Sequence, residues 1–575
     1  MRAWMLAAAF AVGSLVPGVA FAQARNAHSS TSSATSAATS SHSTRSGAGG
    51  GDSEGESGSD HVQSAETLHR NDVNRQVESN WATAPVAEHS VATRHTVHTA
   101  HGTLHYVATA GTLTIRNDDG MPTASMFYVA YTLEGAHTSH RPVTFFYNGG
   151  PGSSSVWLHM GSFGPMRVQT SGPETIRPAP YAFAPNPDTL LDRTDLVFLD
   201  AVSTGFSRPI GDTPASDFWG VDQDADAFTR GILRWVTKNS RWGSPKFLFG
   251  ESYGTLRSAA VAYQLQDRGM ALNGVVLLST ILNYGIEQSG YDQGYIGYFP
   301  SYAATAWYHH KVSASNSETV DAFVQRAREF ALGPYASALA KGQMISPEER
   351  ADIARQMSAF IGISPEFIER SNLRVDLSRF RKELMRDERL TVGRLDSRYT
   401  GVDPDAGGST PEYDPSDTAI SGAFIASFSD YLARDLNYHT DMNYQVDAYG
   451  LPHFEWDWKH RPPHSNQQQM EPDVALDLSA TMRINPYLHV LSLNGYYDMA
   501  TPFFATEFDM AHMMLEPAQA RNLEFRYYPS GHMIYLNPDA LHHLHADLAD
   551  FYNRAVTNAA RDHVATPSTP AEPHP

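Results

Sequence analysis

The sequence predicts an α/β protein: a mostly parallel, doubly wound sheet with antiparallel strands at its N-terminal side and an inserted helical cap. Three observations carry this. Short, mainly apolar runs recur at Val143 to Tyr147, Asp195 to Leu199, Lys246 to Phe249 and Val275 to Ser279. Such runs suit strands covered on both faces rather than one. Between them Phe228, Ile232, Leu233 and Val236 fall at helical spacing within Ala225 to Lys238. Alternating strands and helices imply parallel pairing with crossover helices.

Before the sheet begins, the chain reads differently. Arg2 precedes an apolar stretch from Met5 to Val16, then Ala20-Phe21-Ala22 before Gln23. This is the pattern of a signal peptide over 1–22, too short to span a bilayer. Residues 23–75 are dominated by Ser, Thr, Ala, Gly and His, which cannot bury enough surface to offset chain entropy, so a disordered segment is expected. The Pro-rich tail at 561–575 reads the same way.

Composition narrows the chemistry. The 575 residues contain no cysteine, which excludes disulfides, thiolate catalysis and Cys-ligated metals. A formal charge of −20 argues against nucleic acid or an anionic membrane as partner. The pI near 5.7 reflects the 26 histidines, most of which gain a proton below a pH of about 6.5 and cancel that charge. An export signal without cysteines, in a chain without an Asn-x-Ser/Thr site, suggests a periplasmic or extracellular protein of bacterial type. No later segment is apolar enough to insert in a membrane.

Ordered structure is expected from residue 76, with strands at Thr103 to Val107, Thr112 to Arg116 and Ser125 to Thr132, rich in β-branched and aromatic residues. His95, His98, His101 and His105 lie here at irregular spacing and without carboxylates, so they read as strand histidines rather than metal ligands. The sheet domain is expected over 76–300 and 481–560, the latter with strands Leu488 to Leu493 and Leu523 to Tyr528 and a last helix at Leu541 to Arg554. The insert, 301–480, holds helical segments at Thr319 to Leu332 and Pro347 to Phe360, then a loop-rich stretch.

Chemistry enters at Gly250-Glu251-Ser252-Tyr253-Gly254, a G-x-S-x-G pattern following a strand and opening a helix. Gly51-Asp52-Ser53-Glu54-Gly55 matches as well, but lies in the polar head and has no such context. The glycines permit a sharp turn that lifts the Ser252 hydroxyl above the sheet. A serine nucleophile needs a base, and the base an orienting carboxylate. Asp498 follows a strand and His532 the last strand, both at C-terminal ends where α/β enzymes assemble their sites. The order Ser, Asp, His is that of α/β hydrolases. The glycine-rich Asn148-Gly149-Gly150-Pro151-Gly152 loop lacks the Lys-Ser/Thr of a phosphate-binding loop, and fits an oxyanion hole built from the amides of Gly150 and Tyr253.

Asn148-Gly149-Gly150-Pro151-Gly152-Ser153-Ser154, Gly250-Glu251-Ser252-Tyr253-Gly254, Gly531-His532-Met533, and Asp200 followed by Gly205-Phe206-Ser207 together resemble the serine carboxypeptidase family, in order over roughly residues 125 to 555. The resemblance implies an α/β-hydrolase fold, acyl-enzyme release of C-terminal residues, and recognition of the substrate's free carboxylate by Asn148, Gly149 and Glu251. A carboxyl side chain bonds a carboxylate only if one of the two is protonated, so such binding favours mild acid. The chain departs from the family at Ser162, where a second acid is usual, at Phe146, often Trp, and at Ser153, where a cysteine is usual. Arg257, one turn into the helix after Ser252, is a candidate for compensating the missing acid, and Met533 a candidate substrate contact.

The sequence thus predicts an exported serine carboxypeptidase acting on peptides with a free C-terminus and needing no cofactor or metal. An esterase or acyltransferase on the same three residues is the alternative, and a non-catalytic binding protein on a hydrolase scaffold a third.

Overall fold

Alternation along the central strands fixes the architecture. In Val143–Tyr147 (β4), Phe145 and Tyr147 enter one apolar cluster and Phe146 the other. In Lys246–Glu251 (β6), Leu248 faces the first and Phe247 and Phe249 the second. Successive side chains of a strand point to opposite faces, so a strand buried at every position requires cover on both sides. That cover is helical: Val221–Lys238 (α2), Tyr253–Asp267 (α3) and Ala475–Ile484 (α9) on one face, and Val156–Gly161 (α1), Ser421–Arg434 (α8) and Pro538–Arg561 (α11) on the other.

The computed structural model describes residues 83–136, 140–288 and 290–561; the expected signal peptide, disordered segment, second G-x-S-x-G pattern and nearly all of the Pro-rich tail lie outside the described residues. The main sheet begins with Ser90–Thr99 (β1), Gly102–Arg116 (β2) and Pro122–Leu133 (β3), paired antiparallel. Asp195–Leu199 (β5), Gly274–Leu278 (β7), His489–Gly495 (β8) and Leu523–Tyr528 (β9) complete it with β4 and β6. The spatial order is β1-β2-β3-β5-β4-β6-β7-β8-β9, with short Arg208–Pro209 also paired to β3. All pairs from β5 to β9 are parallel. Mostly parallel, doubly wound and edged by antiparallel strands, this is the α/β-hydrolase fold.

Two expectations are corrected. Thr103 to Val107 and Thr112 to Arg116 belong to one strand, β2: Ala108 to Gly111 continue the ladder to β3 without a turn. Gly111 is required by crowding, because a Cβ there would lie 2.7 Å from His89 O. The expected edges of the insert at 300/301 and 480/481 fall inside helices Gln293–Tyr308 (α4) and α9. Helix α4 with Val320–Phe330 (α5), Pro347–Ile361 (α6) and Leu377–Glu383 (α7) encloses a separate apolar cluster. Helix α8 and the loop after it instead pack on the sheet itself.

Candidate active site

Ser252 stands between β6 and α3 at φ +62°, ψ −132°, a strained conformation for a residue with a Cβ. The surrounding glycines are dictated by contact. A Cβ on Gly250 would lie 2.1 Å from Gly254 O, one on Gly254 2.9 Å from Tyr147 O, and one on Gly149 2.4 Å from Tyr253 N. The elbow and the glycine-rich loop after β4 are thus pressed together backbone to backbone. Ser252 N donates to Leu278 O at the end of β7 (3.0 Å), which ties the elbow to the neighbouring strand.

Asp498 and His532 meet at the ends of β8 and β9. His532 Nδ1 donates to Asp498 Oδ2 at 2.8 Å, leaving Nε2 as the ring's free nitrogen. The carboxylate is held by further donors: Ala500 N (2.8 Å) and Thr501 N (3.0 Å) to Oδ1, and the Thr501 hydroxyl (2.8 Å) to Oδ2. Ser279 Oγ donates to His532 O. Burial works against charge on His532, but the Asp498 carboxylate outweighs it and raises the imidazole above its ordinary pKa. Ser252, half-buried, is the most open of the three.

The donors expected for an oxyanion sit on the elbow and on the loop pressed against it. Tyr253 is the first residue of α3, so its amide has no partner within the helix. Gly150 adopts φ +108°, open to glycine alone without strain. The loop is braced by Ser153 N to Gly149 O (3.0 Å) and by Asp200, whose carboxylate accepts from Ser155 N (2.8 Å) and the Tyr444 hydroxyl (2.9 Å).

Glu251 is buried beside the elbow. Its carboxylate accepts from the Tyr535 hydroxyl at 2.9 Å and lies near the Asn148 side chain. Burial pushes its pKa up to about 7, against the opposing pull of His532 and those two partners. Asn148 Oδ1 accepts from Leu158 N (2.8 Å), which orients its amide group. The structure therefore brings together Ser252, Asp498, His532, Glu251, Asn148, Gly149, Gly150 and Tyr253.

Arg257 does not join them. Its side chain is fully buried, donating to Asp224 through Nε (2.6 Å) and Nη2 (3.2 Å) and to Asn148 O through Nη1 (2.6 Å), with its plane over Phe228. With every nitrogen engaged, it holds the glycine-rich loop from beneath and has nothing left for a substrate; the expected compensating role is corrected. Met533, next to His532, packs in the apolar core. Ser162 turns its hydroxyl back to Leu158 O in its own helix, and Phe146 stacks between Phe198 and Phe249.

Several neighbours escaped the sequence reading. Thr501, three residues past Asp498, and Tyr535, three past His532, carry local signals that could have found them. Arg394 and Tyr449 do not, since they arrive from the insert. Arg394 O accepts from Met499 N (3.1 Å) and Leu395 O from His532 N (2.6 Å). The loop holding Tyr449 is strapped to the glycine-rich loop through Ser154 N to Val446 O (2.8 Å) and Ala448 N to Gly152 O (2.7 Å).

Residues 102–526 match the family model described as serine carboxypeptidase. Among solved structures, the chain is similar to a prohormone-processing carboxypeptidase from Saccharomyces cerevisiae, with 14% identity, 78% of this chain and 91% of that one covered, and a TM-score of 0.47. It is similar also to a proline iminopeptidase from Mycobacterium smegmatis (15% identity, 78% and 99% covered, TM-score 0.33). A third likeness is to an aryl esterase from Burkholderia cenocepacia (12%, 78% and 99%, TM-score 0.31). The comparison with curated proteins finds no match.

Proposed function

The chain belongs to the serine carboxypeptidase family, and on that premise we propose that it is a serine-type carboxypeptidase releasing C-terminal residues from peptides through an acyl-enzyme. The observation that carries the reading is the pairing of a strained serine elbow with a His532–Asp498 hydrogen bond of 2.8 Å at adjoining strand ends.

In this mechanism His532 Nε2 takes the Ser252 proton as Oγ attacks the scissile carbonyl, and Asp498 holds the ring and stabilises the imidazolium. The negative oxygen is bound by the amides of Gly150 and Tyr253. Collapse breaks the C–N bond, and the imidazolium gives its proton to the departing amino group. Water, deprotonated by the same nitrogen, then hydrolyses the Ser252 ester and restores the enzyme. Glu251, protonated below about pH 7, donates to the substrate's C-terminal carboxylate together with Asn148 and Gly149.

Ser162 favours a second reading. Its hydroxyl is spent within its own helix, so one acid usual in the family is missing here, and an esterase or acyltransferase on the same three residues follows if carboxylate recognition fails. Turnover of aryl esters without trimming of free peptides identifies that case. We also propose export, with cleavage before Gln23; N-terminal sequencing of the mature protein checks it. Among the described residues no helix is long and apolar enough to cross a membrane.

A further inference from the structure

The groups assigned to the substrate carboxylate share one deficiency. Asn148, Gly149 and Glu251 bring hydrogen bonds but no positive charge, and Glu251 brings a negative one when ionised. An anion taken into a crevice of this kind is costly unless paired.

The insert supplies the missing charge. Arg394 is clamped against both loops of the catalytic pair, its carbonyl accepting from Met499 N and the next carbonyl, Leu395 O, from His532 N. Asp414 fixes the segment from behind through Arg394 N (3.0 Å) and Leu395 N (3.2 Å). The backbone of Arg394 is therefore pinned at the site while its half-buried side chain is not. Among the described residues its guanidinium has no ion pair within 4 Å and no side-chain hydrogen bond.

Its neighbours contrast with it. Arg398 in the same turn is bonded to Asp396 (2.6 Å) and Lys382 to Asp403. Asp414 and Asp417 feel its charge, but neither forms an ion pair with it within 4 Å, Asp414 bonding backbone amides and the Ser416 hydroxyl and Asp417 the Ser421 hydroxyl. The Arg394 charge is felt at His532 on one side and at Tyr449 on the other. The Tyr449 hydroxyl in turn comes within 3.0 Å of where a Cβ on Gly150 would stand. Arg394 is thus held beside the candidate base, in the segment whose next carbonyl accepts from His532 N.

We propose that Arg394 is a specificity-determining residue that pairs with a carboxylate of the bound substrate. Two sources share that chemistry, the C-terminal carboxylate and an acidic side chain of the terminal residue. A guanidinium fits either, being a planar donor that engages both carboxylate oxygens. The proposal rests on the peptidase reading for the identity of the substrate, but its test does not need turnover.

The experiment measures equilibrium binding to the Ser252→Ala protein, with Arg394 intact, as Arg394→Gln and as Arg394→Lys. The ligands are four peptides, ending in Glu or Gln and either free or amidated. With Arg394 intact, carboxylate-bearing peptides are expected to bind at least tenfold tighter than their neutral counterparts. Arg394→Gln cuts that preference several-fold, leaving what Asn148, Gly149 and Glu251 supply, and Arg394→Lys loses less of it, with thermal midpoints near that of the parent. If the C-terminal carboxylate is the partner, the loss follows amidation; if the side chain is, it separates Glu from Gln. Equal affinities with Arg394 intact, no detectable binding of any peptide, or a preference undiminished by Arg394→Gln overturns the proposal. Failure of the wild-type protein to trim peptides, with this preference present, counts against the peptidase reading alone.

Discussion

Ser252 combines φ +62° with ψ −132°, a strained pair for a residue with a Cβ, and its amide is tied to the end of β7. Ser252→Ala is expected to lower kcat by at least about 10⁴-fold, since the nucleophile is the step's one irreplaceable group; initial rates and loss of labelling by a fluorophosphonate check it. Asp498→Asn leaves the site's shape but reverses the hydrogen bond that fixes the His532 tautomer. A fall in kcat of about 10³- to 10⁴-fold follows, with KM little changed. The pH profile separates two groups. His532 must be neutral to act as base, so kcat falls as pH drops through its raised pKa. Glu251 must be protonated to donate to a carboxylate, so KM for free peptides rises as pH climbs past about 7. Glu251→Gln keeps a donor at every pH, and is expected to flatten that rise in KM while the acid limb of kcat remains.

At the scale of elements, the site depends on how loops are held by what lies under them. Arg257 joins α3 to α2 through Asp224 and to the glycine-rich loop through Asn148 O. Arg257→Ala strands the Asp224 carboxylate, whose burial already raises its pKa. Loss of about 3–5 kcal/mol is expected, read as a lower denaturant midpoint. This element was legible as a helix but its arginine was not: a guanidinium one turn past a serine looks equally suited to a ligand or to a buried aspartate 33 positions back in the chain. The central strands were legible because apolar residues crowd both faces of each, and the elbow because strand, turn and helix are contiguous in sequence. Strand β1 escaped because its side chains are mostly exposed or half-buried, so Ser90–Thr99 shows no apolar run. Arg394 and Tyr449 escaped for a different reason. They reach the site through backbone bonds to Met499 and to the glycine-rich loop, and no local pattern encodes a contact of that length.

The whole molecule is tied together by buried charge as well as by its apolar layers. His460, in the loop before α9, bridges Asp222 on α2 (Nδ1, 2.7 Å) and Asp477 on α9 (Nε2, 2.9 Å). Burial opposes its charge, but the two carboxylates prevail and lift it to about 9. A pKa raised above an unfolded value near 6.5 contributes stability that is complete below that pH and lost as pH rises through about 9. The contribution is at most about 3 kcal/mol, because burial of Asp477 acts against it. His460→Gln is expected to lower stability below pH 6.5 and to flatten its decline up to pH 9, measured by urea unfolding across that range.

The central claim is that the molecule trims peptides from a free C-terminus with Ser252. The most direct measurement incubates the protein at about pH 5 and about pH 7, straddling the carboxyl and imidazole titrations, with one peptide in free and amidated form. Mass spectrometry follows the products, and Ser252→Ala serves as control. The account predicts stepwise loss of C-terminal residues from the free peptide, little or none from the amide, and none with Ser252→Ala. Equal trimming of both forms, or of neither while an aryl ester is still cleaved, would contradict it.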